Sequence, residues 1–185
     1  MTTLSAPTAA QVWRVLIIDD SPDDRAEVRR LLLRGSERRY MLAEAETGAA
    51  GVRAVLDADD LPDCVVLDYD LPDMDAVEVL AALAGPDGLT ACPVVVLTGT
   101  VGHEQTRALL RAGAQDCLGK GWMNPESLTH AVENAAERWI MARELRDQKT
   151  VLRASEDRFR LAAEAVNGLI YEYDFRTGHV CVGSD

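Results

Sequence analysis

The sequence of 185 residues has no long apolar run, and none of its segments approaches the roughly 20 apolar residues of a membrane-spanning helix. Positive charge is also scarce. The sequence has 19 lysines and arginines but 31 aspartates and glutamates, which gives a net charge of -12. Nucleic-acid-binding surfaces are normally basic, so this balance argues against a nucleic-acid partner. The hydrophobic content of 48% and charged content of 27% are typical of a globular protein.

Closely spaced cysteine pairs are absent as well. The four cysteines stand far apart without a C-x-x-C motif, and they are Cys64, Cys92, Cys117 and Cys181. We therefore expect free thiols rather than disulfides or zinc ligands. Residues 1–12 are expected to be flexible, and they lack the positive start and apolar stretch of a signal peptide. The lack of paired cysteines and of a signal peptide predicts a cytoplasmic protein without a membrane partner.

Short apolar runs alternate with amphipathic segments over residues 13–123. The unbroken runs typical of strands buried on both faces are Val15–Ile18, Cys64–Leu67 and Pro93–Leu97. Weaker strands are predicted at 40–45 and 116–119, and helices at 23–33, 48–56, 75–84 and 103–112. This alternation predicts an α/β fold, a doubly wound five-stranded parallel sheet with helices on both faces. Ligands of such sheets bind at the carboxyl ends of the strands.

Polar residues follow four of these strands, and they are Asp19-Asp20, Asp68, Thr98 and Lys120. Neighbouring carboxylates repel one another unless a hard cation such as Mg²⁺ lies among them. A carboxylate beside that cation can attack phosphorus, and an amine and a hydroxyl can then stabilise the phosphoryl oxygens. A single strand-end aspartate is usually a turn residue and a single lysine is usually solvated, so this prediction depends on the whole set.

Four segments carry a resemblance to a known family. They are Val15-Leu16-Ile17-Ile18-Asp19-Asp20-Ser21, the stretch 66–75 (VLDYDLPDMD), Val95-Val96-Leu97-Thr98-Gly99, and 113–120 (GAQDCLGK). In this order they resemble the receiver domain of two-component response regulators, the CheY-like family, over residues 13 to about 122. The resemblance implies a flavodoxin-like sheet of strand order 2-1-3-4-5. It also implies a phosphorelay protein without an enzymatic activity beyond its own phosphorylation and autodephosphorylation.

The same resemblance implies roles for individual residues. Asp68 would accept the phosphoryl group from a sensor histidine kinase, and Thr98 and Lys120 would take the switch and charge-stabilising roles. Mg²⁺ would be bound by Asp20 and Asp68, by the main-chain carbonyl of Asp70, and by Asp19 mainly through a water.

Three positions depart from the family pattern. Cys117 stands where an aromatic switch residue is usual, Gly121 replaces the proline after the lysine, and Ala76 replaces a common glycine. None of them removes a chemical group from the phosphorylation site. They therefore affect how phosphorylation is read rather than whether it occurs.

A long helix is predicted over residues 124–166, where no glycine or proline follows Pro125. Its apolar residues first alternate in steps of four and three and then recur every seven, and they are Leu128, Val132, Ala135, Trp139, Ala142, Leu145, Leu152 and Phe159. This spacing predicts a coiled coil with a phase slip near Ala142 to Leu145, and a parallel homodimer through residues 125–160. The alternative is one long helix docked on its own domain.

The C-terminal stretch resembles a second family. Residues 155–165, then 168–174 and a Thr177-Gly178 turn, look like the leading helix and first hairpin of a PAS sensor domain. Residues 167–185 would then be a truncated PAS-like start, and the chain a fragment of a longer protein with a downstream output region.

Two other functions remain open at this stage. A haloacid-dehalogenase-type phosphatase also uses Asp-x-Asp after a strand, then a threonine and a lysine, but there the Asp-x-Asp follows the first strand. A pseudo-receiver that serves only as a dimerisation scaffold would explain Cys117 and Gly121, although the complete acidic set argues against it.

Overall fold

The computed structural model describes residues 12–35, 38–86, 88–99, 102–166, 171–173 and 180–182. Strands and helices alternate as predicted, within a few residues of the expected bounds. The strands are β1 (Val12–Ile18), β2 (Arg39–Ala45), β3 (Cys64–Asp68), β4 (Val94–Thr98) and β5 (Asp116–Gly119). The helices are α1 (Pro22–Gly35), α2 (Gly48–Leu56), α3 (Ala76–Leu83), α4 (His103–Ala112) and α5 (Pro125–Val166), with a 3₁₀ turn at Lys120–Trp122.

The five strands form one parallel sheet in the order β2-β1-β3-β4-β5, so the predicted fold class and strand order are confirmed. The register pairs Ile18 of β1 with Leu67 of β3, and Asp68 of β3 with Leu97 of β4. Thr98 of β4 pairs in turn with Gly119 of β5. All four strands therefore end at the same edge of the sheet.

The sheet separates two apolar layers, because successive side chains of a strand point to opposite faces. One layer lies against α2, α3 and α4, and it includes Leu16, Ile18, Val65, Leu67, Val79, Leu80 and Leu109. The other lies against α1 and the start of α5, and it includes Val15, Ile17, Val28, Leu32, Val66, Leu128 and Val132. Burial on both faces explains why the central strands are unbroken apolar runs.

The first half of α5 belongs to this core. Leu128, Val132 and Ala135 are each 0% exposed. The predicted dimer seam is wrong for this half, because these residues cover the sheet beside α1. Here the alternative of a helix docked on its own domain is correct. Trp139 continues the same face and donates its indole N–H to the carbonyl oxygen of Thr90 at 2.9 Å.

The chain divides into two compact units between Met141 and Ala142. The first unit contains the whole five-stranded sheet. The second contains the rest of α5 and two short antiparallel strands, β6 (Tyr171–Tyr173) and β7 (Val180–Val182). The predicted Thr177-Gly178 turn lies outside the described residues, as does the expected flexible N-terminus apart from Val12, which begins β1. None of the described helices is long and apolar enough to cross a membrane.

Candidate functional site

The carboxyl ends of β1 and β3 bring three carboxylates together. Asp19, Asp20 and Asp68 each offer one oxygen, and these atoms all lie within 4.8 Å of one another. Asp19 is 1% exposed and Asp68 is 7% exposed, whereas Asp20 faces solvent. Carboxylate oxygens are hard ligands that suit Mg²⁺, and the exposed side of the cluster leaves room for water ligands. The donor set therefore fits a magnesium ion.

Lys120 follows β5 and reaches into this cluster. Its Nζ lies 2.7 Å from Oδ1 of Asp68, 3.1 Å from Oδ2 of Asp19 and 2.6 Å from Oδ2 of Asp24. Burial alone would lower the pKa of Lys120, but hydrogen bonds to Asp24, Asp68 and Asp19 outweigh it and raise the pKa above its usual value. The ammonium group is therefore charged beside Asp68 at neutral pH.

Asp19 is the most buried acid of the site. Burial raises its pKa above the usual value and the charge of Asp68 adds to this, while the backbone N–H of Ser21 and the ammonium of Lys120 act in the opposite direction. The Ser21 N–H donates to Oδ1 of Asp19 at 2.8 Å. The raised pKa records the cost of placing two carboxylates side by side in a buried position. A divalent cation would relieve that cost.

The remaining predicted site residues lie at the same edge of the sheet. Thr98 ends β4 and is 3% exposed. Asp70 lies in the β3–α3 connection, where it forms an isolated bridge with Asp75. The structure thus brings Asp19, Asp20, Asp68 and Lys120 into one cluster and places Thr98 and Asp70 in the adjoining strand end and loop.

Cys117 lies on β5, three residues before Lys120. It is half-buried and packs against the layer formed with α2, α3 and α4. Burial raises the pKa of its thiol to about 11, and the charge of Asp116 adds to this effect. The usual aromatic ring is thus replaced by a small neutral thiol. Among the residues whose side chains are described, Cys64, Cys92 and Cys117 are free thiols, as predicted.

Sequence reasoning missed Arg25 of α1, which is 7% exposed. Its Nη1 donates to the carbonyl oxygens of Asp19 at 2.8 Å and Asp20 at 3.2 Å. Its Nε and Nη2 bind Glu44 at 3.1 Å and Glu46 at 3.0 Å. Arg25 therefore fixes the backbone that carries both β1 acids. A signal for this role was present in the sequence. Arg25 lies three residues before Val28 and seven before Leu32, which places it on the same buried face of α1.

The β3–α3 loop is anchored in a similar way. Asp73 accepts hydrogen bonds at 2.9 Å from the backbone N–H groups of Gly48 and Ala49, at the start of α2. The bond from Ala49 contributes most to lowering the pKa of Asp73. A Cβ atom at position 48 would lie 2.3 Å from Cγ of Met74, so any residue other than glycine would displace the Met74 side chain. These contacts hold the loop that contains Asp70.

We expect Arg25→Met to loosen the site and to destabilise the first unit by about 1–3 kcal/mol, the usual cost of leaving buried polar groups unpaired. Glu44 and Glu46 are partly exposed and regain water, so the effect comes mainly from the two orphaned carbonyl oxygens. Urea unfolding and a Mg²⁺ titration, both followed by tryptophan fluorescence, measure the two consequences. Arg29→Met, which removes the more exposed neighbour that also binds Glu44, is the control. Equal effects of the two substitutions would contradict the role of Arg25.

Comparisons to known proteins identify the family of this domain. The model of the response regulator receiver domain family matches residues 15–133. The chain belongs to this family. Its receiver domain is that of a two-component response regulator and carries an acidic pocket at the expected edge of the sheet.

Curated relatives include two transcriptional regulatory proteins. KdpE of Mycobacterium tuberculosis is 41% identical over 106 residues, which are 57% of this chain and 43% of KdpE. PrrA of Mycobacterium bovis is 37% identical over 114 residues, 61% of this chain and 46% of PrrA. The chain thus covers less than half of the length of these relatives.

Solved receiver structures also match this chain. The signal receiver domain of the response regulator NarL from Mycobacterium tuberculosis superposes with a TM-score of 0.61 at 28% identity. The match covers 69% of this chain and 98% of that domain. The similarity therefore extends over essentially the whole of that receiver domain.

Proposed function

We propose that Asp68 accepts a phosphoryl group from the phosphohistidine of a sensor histidine kinase, so that the chain acts as the receiver of a phosphorelay. The observation that carries this proposal is the contact of Lys120 Nζ with Asp68 at 2.7 Å inside a cluster of three carboxylates. The nucleophile, the metal ligands and a fixed cation are then within reach of one another.

Each residue has a defined part in the transfer. A carboxylate oxygen of Asp68 attacks phosphorus, the bond from phosphorus to the donor nitrogen breaks, and its electron pair leaves with the imidazole. Lys120 donates a hydrogen bond to a phosphoryl oxygen of the acyl phosphate, and the Thr98 hydroxyl donates to another. Asp20, Asp68 and the Asp70 carbonyl, with Asp19 mainly through a water, would hold Mg²⁺, which would supply positive charge to offset that of the phosphoryl oxygens. Hydrolysis of the acyl phosphate by water returns Asp68 to its starting state.

Acetyl phosphate tests this function without knowledge of the kinase. We expect the wild-type chain to gain one phosphoryl group in the presence of Mg²⁺ and none in excess EDTA, because the three carboxylates repel the anionic donor. Intact-mass spectrometry measures both. Labelling that is equally fast in EDTA would contradict the metal site.

Signal output is proposed to pass along α5 and through a homodimer to a PAS or other output region. Beyond the buried half of the helix, large apolar residues are 59–68% exposed at spacings of four and seven, namely Met141, Leu145, Leu152 and Phe159. In a parallel pair with Leu145 and Leu152 at core positions, Glu144 of one copy would face Lys149 of the other. The proposed interface therefore begins near Met141 rather than at residue 125.

Two alternatives predict different results. A phosphatase of the haloacid-dehalogenase type would release phosphate from a phosphomonoester continuously, whereas a receiver would not. A dimerisation scaffold would associate but remain unlabelled by acetyl phosphate. Membership of the receiver family and the intact acidic cluster favour phosphorylation over both.

The location and the remaining partners are also proposals. A cytoplasmic location fits the free cysteines. The net charge of -12 argues against direct contact of these 185 residues with nucleic acid. The relatives named as transcriptional regulatory proteins are more than twice as long as the matched region.

A further inference from the structure

The ammonium group of Lys120 has no hydrogen-bond donor left for a phosphoryl group. A lysine ammonium carries three N–H donors. In the structure Nζ of Lys120 contacts three carboxylates, those of Asp19, Asp24 and Asp68. A phosphoryl oxygen on Asp68 can therefore bind Lys120 only if one of these contacts is given up.

The three carboxylates differ in how easily they can be released. The side chains of Asp19 and Asp68 are 2% and 9% exposed, so either would remain poorly solvated after losing the ammonium. The side chain of Asp24 is 43% exposed and can regain water at little cost. Asp24 is thus the partner that is cheapest to displace, although its distance of 2.6 Å is the shortest of the three.

The position of Asp24 is set by the start of α1. Its backbone N–H donates to the hydroxyl of Ser21 at 3.2 Å, in the same turn that fixes Asp19. Its carboxylate therefore lies on the α1 side of Lys120, whereas Asp68 approaches from β3. Asp24 pulls the ammonium toward α1 in the unphosphorylated protein.

We propose that Asp24 is a positioning residue that holds Lys120 before phosphorylation and must release it when Asp68 carries a phosphoryl group. This inference rests on the proposed phosphorylation of Asp68. Asp24 thereby restrains phosphorylation, both by occupying a donor of Lys120 and by keeping a negative charge beside the incoming anion.

The test compares three variants of the full chain in their reaction with acetyl phosphate and Mg²⁺. In this reaction an oxygen of Asp68 forms the new bond to phosphorus, and acetate leaves with the electron pair of the broken P–O bond. We expect Asp24→Asn to be labelled about two- to fivefold faster than wild type, the range that corresponds to one partly exposed ion pair. Asp24→Glu keeps the carboxylate and should return the rate toward the wild-type value.

Asp23→Asn is the matched control, because Asp23 is an exposed acid in the same helical turn and has no described contact with Lys120. It changes the net charge and the helix terminus in the same way as Asp24→Asn. We expect its labelling rate to equal that of wild type. Thermal unfolding of all variants separates a change in the site from a change in stability.

Distinct results identify which claim fails. A wild-type chain that is not labelled would overturn the proposed function and this inference together. A labelled wild type with equal acceleration by Asp23→Asn and Asp24→Asn would overturn only the specific role of Asp24. Slower labelling of Asp24→Asn would also overturn it, because Asp24 would then hold Lys120 in its productive position.

Discussion

Replacement of Asp68 by asparagine is expected to abolish phosphorylation of the chain. The amide of asparagine is a poor nucleophile and removes one of the three charges that would bind Mg²⁺. Asp68 ends β3 with only 7% of its surface exposed, and Lys120 is aimed at it from β5. Intact-mass spectrometry after incubation with acetyl phosphate and Mg²⁺ should show the added phosphoryl group on wild type and its absence on Asp68→Asn.

Asp70→Asn provides the matched control two residues away. The proposed role of Asp70 uses its main-chain carbonyl, which the substitution keeps, and its side chain is exposed. This variant should therefore be labelled to the wild-type extent. Equal labelling of Asp68→Asn would contradict the assignment of the phosphoacceptor, and loss of labelling in Asp70→Asn would contradict the carbonyl role.

Leucine-to-alanine substitutions in the two halves of α5 should differ strongly in their effect on stability. Leu128→Ala should destabilise the first unit by about 3 kcal/mol, because it deletes a side chain that is fully buried beside α1. Leu152→Ala makes the same chemical change at a residue that is 59% exposed, and it should alter this stability by less than about 0.5 kcal/mol. All three tryptophans lie between residues 12 and 141, so their fluorescence during urea unfolding reports on the first unit.

The same pair of variants tests the dimer. If Leu152 packs against its copy in a dimer, Leu152→Ala removes two buried leucine side chains, each of which contributes about 1.5–3 kcal/mol to the free energy of association. The dimer dissociation constant should therefore rise at least about tenfold. Light scattering over a concentration series measures this constant. A monomeric wild type at micromolar concentration, with and without phosphorylation, would contradict the proposed interface. A cost of Leu152→Ala equal to that of Leu128→Ala in the fluorescence experiment would contradict the division of α5.

The sheet was predictable because its central strands, β3, β4 and most of β1, are buried on both faces. Runs such as Val15–Ile18 and Cys64–Leu67 consist of consecutive apolar residues, without the polar positions that interrupt an amphipathic helix. Each run is followed by an aspartate. The carboxyl ends of parallel strands share one edge, so Asp19, Asp20 and Asp68 were expected at that edge. The strand order 2-1-3-4-5, which places β1 beside β3, came from the resemblance to receiver domains rather than from these local signals.

Residues that act across elements were harder to foresee. Asp24 and Arg25 look like ordinary first-turn residues of α1. Only the packing of α1 against β1 and β2 brings Asp24 to Lys120 and Arg25 to Glu44. The predicted seam in α5 failed for a related reason. A step of four and three residues is equally typical of a coiled coil and of a helix docked on a sheet, and tertiary packing decides which partner buries it.

Direct mapping of the phosphoryl group on the wild-type chain tests the central claim most sharply. Borohydride reduction converts a phosphorylated aspartate to homoserine, which tandem mass spectrometry locates within a peptide. After incubation with acetyl phosphate and Mg²⁺, the modified residue should be Asp68 and should be absent when EDTA replaces Mg²⁺. Modification of another acid, or none at Asp68 while the intact chain gains a phosphoryl group, would contradict the site described above.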